Sequence, residues 1–202
     1  SAQLTPEEIE LGVRASHIQA QVQDMLHCDV TSMMGLWVVM TPTAFSNSQK
    51  ERIRKSLYEI DPMLSYHCPS LDSRTQFLYE LAKMEAAFSY AYAMTEDWER
   101  YNYHIENLLK YYKVIIYGKR YNALFRRSSL QEINSGLPGA ATLLNQYGVV
   151  LPLKYALQFI NSIVKIMENY HTDKHFGFDT MFEVYEMELK IYEEVQDQSS
   201  IS

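Results

Sequence analysis

At 202 residues, with 47% hydrophobic and 21% charged side chains, the sequence has the make-up of one ordinary globular domain, which excludes a disordered segment and a fibrous repeat. The formal charge of −7 argues against a general nucleic-acid coat, because phosphate binding rests on Lys and Arg releasing counterions, and it favours basic partners instead. Two cysteines are too few for a disulfide framework and set a reducing, cytoplasmic compartment as the default, and the longest apolar run, residues 33–40, falls far short of the ~20 residues of a membrane span.

Thr5, Pro6 and Glu8 form a capping box with proline at the first helical position, and Leu4 can staple against Ile9. Leu11, Ala15, Ile18, Val22 and Met25 continue at helical spacing, so the first helix is expected to run to about Cys28. Residues 30–40 carry no clear period and are read as helix, with a buried strand as the alternative. Ser48 with Glu51 opens the next helix, which shows Ile53, Leu57 and Ile60 to the core and ends at Asp61 before Pro62.

Asp72 is placed to cap a long helix with the stripe Phe77, Leu81, Met84, Phe88 and Ala91, and Thr95, Glu96 and Asp97 start a second one. That second helix carries Trp98, Tyr101, Ile105, Leu108, Tyr112 and Ile115 inward and stops at Gly118. Between residues 121 and 148 the pattern loosens into short pieces, Pro152 opens a further helix, and Thr180 with Glu183 caps the last. Phe182, Tyr185, Leu189 and Tyr192 form the expected inner face of this last helix, whose remainder is acidic. The sum is an all-α, single-domain irregular bundle of about seven helices over residues 1–202, two of them long and consecutive, with loose ends at 1–4 and 198–202. Ser1 and Ala2, without an initiator Met, read as a processed or artificial start.

Four groupings carry the candidate chemistry. Glu168 and His171 have the Glu-x-x-His spacing of di-iron bundles, and His175 lies four residues on; the second copy of that unit is missing, and a helix end with a polar loop is the better reading of these residues. His27 with Cys28 and His67 with Cys68 repeat a His-Cys dipeptide whose side chains would suit zinc if the fold joined them, although cysteine as a small buried hydrophobe is the simpler reading. Lys119, Arg120, Arg126 and Arg127, interleaved with aromatics, could hold an anion, while the helix dipole alone would gather such residues at a C-terminal end. Of the 16 tyrosines, Tyr92, Tyr103 and Tyr111 fall off the inward stripe and are candidates for a partner-binding surface, together with Glu186, Glu193 and Glu194; a thick core covered on two sides is the alternative.

The sequence contains no Gly-x-Ser-x-Gly elbow, P-loop or Rossmann glycine pattern, so it reads as non-enzymatic and no cofactor is assigned. The function expected from these features is a helical protein–protein interaction module, an adaptor or chaperone-like subunit with an acidic, Tyr/Met-rich surface for a basic or amphipathic helix; self-association would use the same surface chemistry. Two other readings stand beside it: a metal- or small-molecule-binding helical-bundle enzyme, and the ligand-binding or dimerisation domain of a regulator.

Overall fold

The computed structural model describes residues 6–27, 29–33, 36–40, 44–62, 75–117, 148–155, 157–158, 161, 186, 189 and 193. These are mostly helical, in the order α1 (Pro6–Leu26), β1 (Asp29–Met33), β2 (Leu36–Met40), α2 (Asn47–Ile60), α3 (Thr75–Met94) and α4 (Trp98–Tyr117). Helical residues recur at 153–155, 157–158, 161, 186, 189 and 193. The rest of the expected set of about seven helices falls outside the described residues.

Residues 30–40 depart from the helical expectation. β1 and β2 pair antiparallel, with Val30 opposite Val39, Thr31 opposite Val38 and Met33 opposite Leu36. Val30, Thr31, Val38 and Val39 are β-branched and lose χ1 freedom in a helix, and Trp37 shares their preference for a pleated surface. Local propensity thus decides a stretch in which apolar periodicity is silent.

α2 begins two residues earlier than Ser48 would place it. Ser46 is the cap: its Oγ accepts from Gln49 N at 3.3 Å while Gln49 Oε1 accepts from Ser46 N at 2.8 Å. This reciprocal pair satisfies two donors at once, and the helix forms around the earlier of two overlapping capping boxes. At the other end Asp61 is extended (φ −74°, ψ 117°), as a residue before proline must be, and Ile53 and Leu57 form the buried face.

α3 is the central helix. Every residue from Met84 to Thr95 is buried, and α3 touches α1, α2, α4 and β1. From Met84 onward the helix has no solvent stripe, and alanines at 82, 86, 87, 91 and 93 let its neighbours approach. Ala15, Ile18, Val22 and Leu26 line up as the inner face of α1, whereas Tyr101, Ile105 and Leu108 do so on α4.

The α3–α4 reversal is tight because Glu96 takes a left-handed conformation (φ 61°), and Asp97 N donates to Tyr92 O at 2.9 Å. Lys50 Nζ bonds Glu96 Oε2 at 3.1 Å and ties this turn to α2, and Asp97 Oδ1 caps α4 by accepting from Arg100 N at 3.3 Å.

Candidate functional site

The convergence of α2, α3 and α4 brings three ionisable side chains together inside the fold. Asp61 comes from the C-cap of α2, Glu85 from the middle of α3 and His104 from α4. His104 Nδ1 lies 2.5 Å from Glu85 Oε2 and its Nε2 lies 2.9 Å from Asp61 Oδ2. The side chains of His104 and Asp61 have no exposed surface, and Glu85 is fully buried.

Aromatic rings hold the imidazole in place. Phe88 stacks on it with centroids 4.7 Å apart, Tyr92 at 5.5 Å, and Tyr103 meets it edge-on at 5.2 Å. Phe88 and Tyr92 are four residues apart on α3 and therefore share one face, which also aims the Tyr92 hydroxyl at Asp61. That hydroxyl donates to Asp61 Oδ2 at 2.6 Å, and Arg100 Nη1 approaches the same oxygen at 3.5 Å. Asn107 Nδ2 reaches the other oxygen of Glu85 at 3.5 Å. Toward solvent, the Arg100 guanidinium lies 4.0 Å over the Tyr58 ring, and Tyr58 donates to Asp97 Oδ2. Arg100 and Tyr58 are the partly exposed lid of an otherwise closed network.

Electrostatics follow from this geometry. Burial alone would push the His104 imidazolium down, but the Glu85 charge and the hydrogen bonds to Asp61 and Glu85 outweigh it and hold its pKa up at about 9. Burial raises the Glu85 carboxyl above its usual range despite His104. Asp61 is also raised by burial, yet the hydrogen bond and charge of His104, with Tyr92 and Arg100 behind them, bring it below the usual range. The shifts of His104 and Glu85 both favour keeping a proton between Nδ1 and Oε2. As an imidazolium, His104 donates at both nitrogens, one to each carboxylate. The unit is a carboxylate–imidazolium–carboxylate clamp joining three helices.

The sequence-based candidates fare differently. Tyr92 and Tyr111 are fully buried, which moves them from a partner surface into the core, and Tyr103 is half-buried with its ring against His104. The cause is the covering of α3 and α4 on more than one side, so that positions off the single stripe still face a neighbour. Glu186 and Glu193 are exposed. Leu189, expected on the inner face, is 59% exposed and belongs with them instead. Glu194, Glu168, His171, His175, Lys119, Arg120, Arg126, Arg127, Cys28, His67 and Cys68 lie outside the described residues. Among the described residues no group of three or more His, Cys, Asp or Glu side chains could hold a metal ion. Also among them, no helix is long and apolar enough to cross a membrane.

Sequence reasoning missed the clamp because its members stand 24 and 19 residues apart and share no local spacing. One signal was present: Glu85 is the lone charge in the run from Met84 to Met94, and a charge inside an apolar helical stretch requires a buried partner. No family model, curated protein or solved structure matches the chain.

Proposed function

We propose that this chain is a non-catalytic helical module that binds a protein partner, adaptor- or chaperone-like, through an acidic surface, with a bundle of about seven helices as its rigid support and the cytoplasm as its compartment. The observation that carries the reading is the exposed trio Glu186, Leu189 and Glu193. All three are helical residues, and on a single helix their spacings of three and four would form one strip, an apolar contact between two carboxylates. Such a strip complements a basic amphipathic helix, whose lysines meet the carboxylates while its apolar edge covers the leucine.

The clamp supports the same reading from the opposite side. A general base needs a free nitrogen within reach of substrate, and both nitrogens of His104 are taken by carboxylates in a site closed to solvent. Its role here is to lock α2, α3 and α4 into one unit.

A fluorescein-labelled helical peptide of alternating Leu and Lys turns, titrated with the protein and followed by anisotropy, tests the proposal. The expected result is saturable binding that weakens by about tenfold in Glu186→Lys with Glu193→Lys, in keeping with loss of two charge pairs. Leu189→Ala should weaken it less. Absence of saturable binding, or binding indifferent to charge reversal, overturns the reading.

A further inference from the structure

A second polar grouping lies away from the clamp, between the C-terminal end of α1 and the stretch from Phe45 to Ser56 that enters and runs along α2. It is a half-open cleft of about 170 Å³. Its floor is apolar: Ile53, only 7% exposed, with the half-buried Met25 and Phe45. Arg52, Ser56 and His27, residues that carry a guanidinium, a hydroxyl and an imidazole, complete its lining. Gln49 adds an amide whose Oε1 is already committed to Ser46 N, leaving its NH₂ as a further donor.

Two properties of this cleft define what fits it. The lining contains no carboxylate although the chain carries a net charge of −7, and Arg52 makes no ion pair within the described residues. A rim of donors over an apolar floor matches an anion attached to an apolar group, since a guanidinium recognises a carboxylate through paired N–H donors. The volume sets the size: a cavity of ~150 Å³ lined by apolar side chains accommodates one benzene ring.

His27 provides a separate observation. It directly follows α1 in a left-handed conformation (φ 52°), a position where glycine is favoured and where a side chain costs about 1–2 kcal/mol. His27, exposed, lines the cleft at that cost. Backbone strain retained at a side chain that lines a cleft is a mark of a site.

The geometry points to a binding site for a carboxylate carried on a single aromatic or branched apolar group, with that group on Ile53, Met25 and Phe45 and the carboxylate at Arg52 and His27. A free arylalkanoic acid and the C-terminal residue of a peptide share this chemistry. The site shares no residue with the Glu186, Leu189 and Glu193 grouping and does not depend on the partner surface proposed above.

Phenylacetate, benzyl alcohol, and a tetrapeptide ending in Phe with a free or an amidated terminus are titrated into ¹⁵N-labelled full-length protein. Saturable shifts confined to residues 25–27 and 45–56 are expected for carboxylate probes. Arg52→Gln should weaken them by about tenfold, the size of one lost charge-assisted pair, and His27→Gly should weaken them while leaving the backbone conformation intact. Benzyl alcohol and the amidated peptide should bind weakly and ignore Arg52→Gln. Binding of phenylacetate without the free-terminus peptide identifies a free acid as the ligand type; tight binding of the peptide alone identifies a chain terminus. Melting that is unchanged in Arg52→Gln and not lowered in His27→Gly excludes misfolding, Arg52 and His27 being exposed. No saturable shift with either carboxylate, or affinity unmoved by both substitutions, overturns the assignment.

Discussion

The two histidines whose surroundings the fold defines most fully stand at opposite extremes. His104 is sealed between α3 and α4, bonded at both nitrogens and stacked on aromatic rings, while His27 sits exposed at the end of α1 on a strained backbone. α2 connects the two regions, contributing its C-cap Asp61 to the clamp and Gln49, Arg52, Ile53 and Ser56 to the cleft. The difference teaches how to separate support from availability. A polar group with every hydrogen-bonding atom satisfied inside the core maintains shape, and one held at an energetic cost beside a cleft, with its ring open to solvent, is available to a ligand.

The sharpest way to break this distinction is to remove the middle of the clamp. His104→Leu leaves Asp61 and Glu85 facing each other without a cation between them, and the cost is expected to be ~3–5 kcal/mol of unfolding free energy in urea titrations. Adding Glu85→Leu should recover a good part of that loss, because Asp61 keeps Tyr92 and Arg100 as partners while the second stranded charge is gone. A double variant no better than the single would mean that His104 acts by packing alone.

A smaller effect appears with pH. His104 titrates near 6.5 when unfolded and at about 9 when folded, so its contribution to stability is complete below pH 6.5 and is lost as the pH rises through about 9. Glu85, also raised, acts in the same sense at lower pH, where its folded form holds a proton that the unfolded chain has released. Asp61, lowered, does the opposite: its contribution is present above the ordinary carboxylate range and is lost as the pH falls through its folded value. Urea midpoints should therefore decline between pH 6.5 and 9, and the double variant should show no such decline. A flat profile in the wild-type chain would contradict a protonated clamp.

The smallest expected change has the opposite sign. His27→Gly relieves the left-handed backbone and should raise stability by ~0.5–1 kcal/mol in the same assay, since glycine avoids the steric penalty but loses more entropy on folding. A loss of stability instead would show that the imidazole is a structural side chain, and the contrast with His104 would disappear.

Much of the helical frame was legible because its punctuation is chemical. Asp61 before Pro62 ends α2, Thr95 to Asp97 separate α3 from α4, and the stripe of Tyr101, Ile105 and Leu108 is buried as its spacing requires. The hairpin was not legible in that way, since a short apolar run has no period to read and only its β-branched content favours strands. The role of the tyrosines depended on how many neighbours α3 and α4 acquire, and no local pattern encodes that number; Tyr92 and Tyr111 became core for this reason. The clamp lay furthest from view. Asp61, Glu85 and His104 acquire meaning only once three helices meet, and Glu85, alone among apolar neighbours, was the trace of it in the sequence.

The central claim, that His104 is a closed and protonated structural element, is tested most directly by NMR of the ¹⁵N-labelled imidazole from pH 5 to 8. Two ring N–H signals that persist across that range, exchange slowly with water and correlate with the Phe88 and Tyr92 rings are the expected result. A ring that titrates near its unperturbed value with rapidly exchanging protons would contradict it.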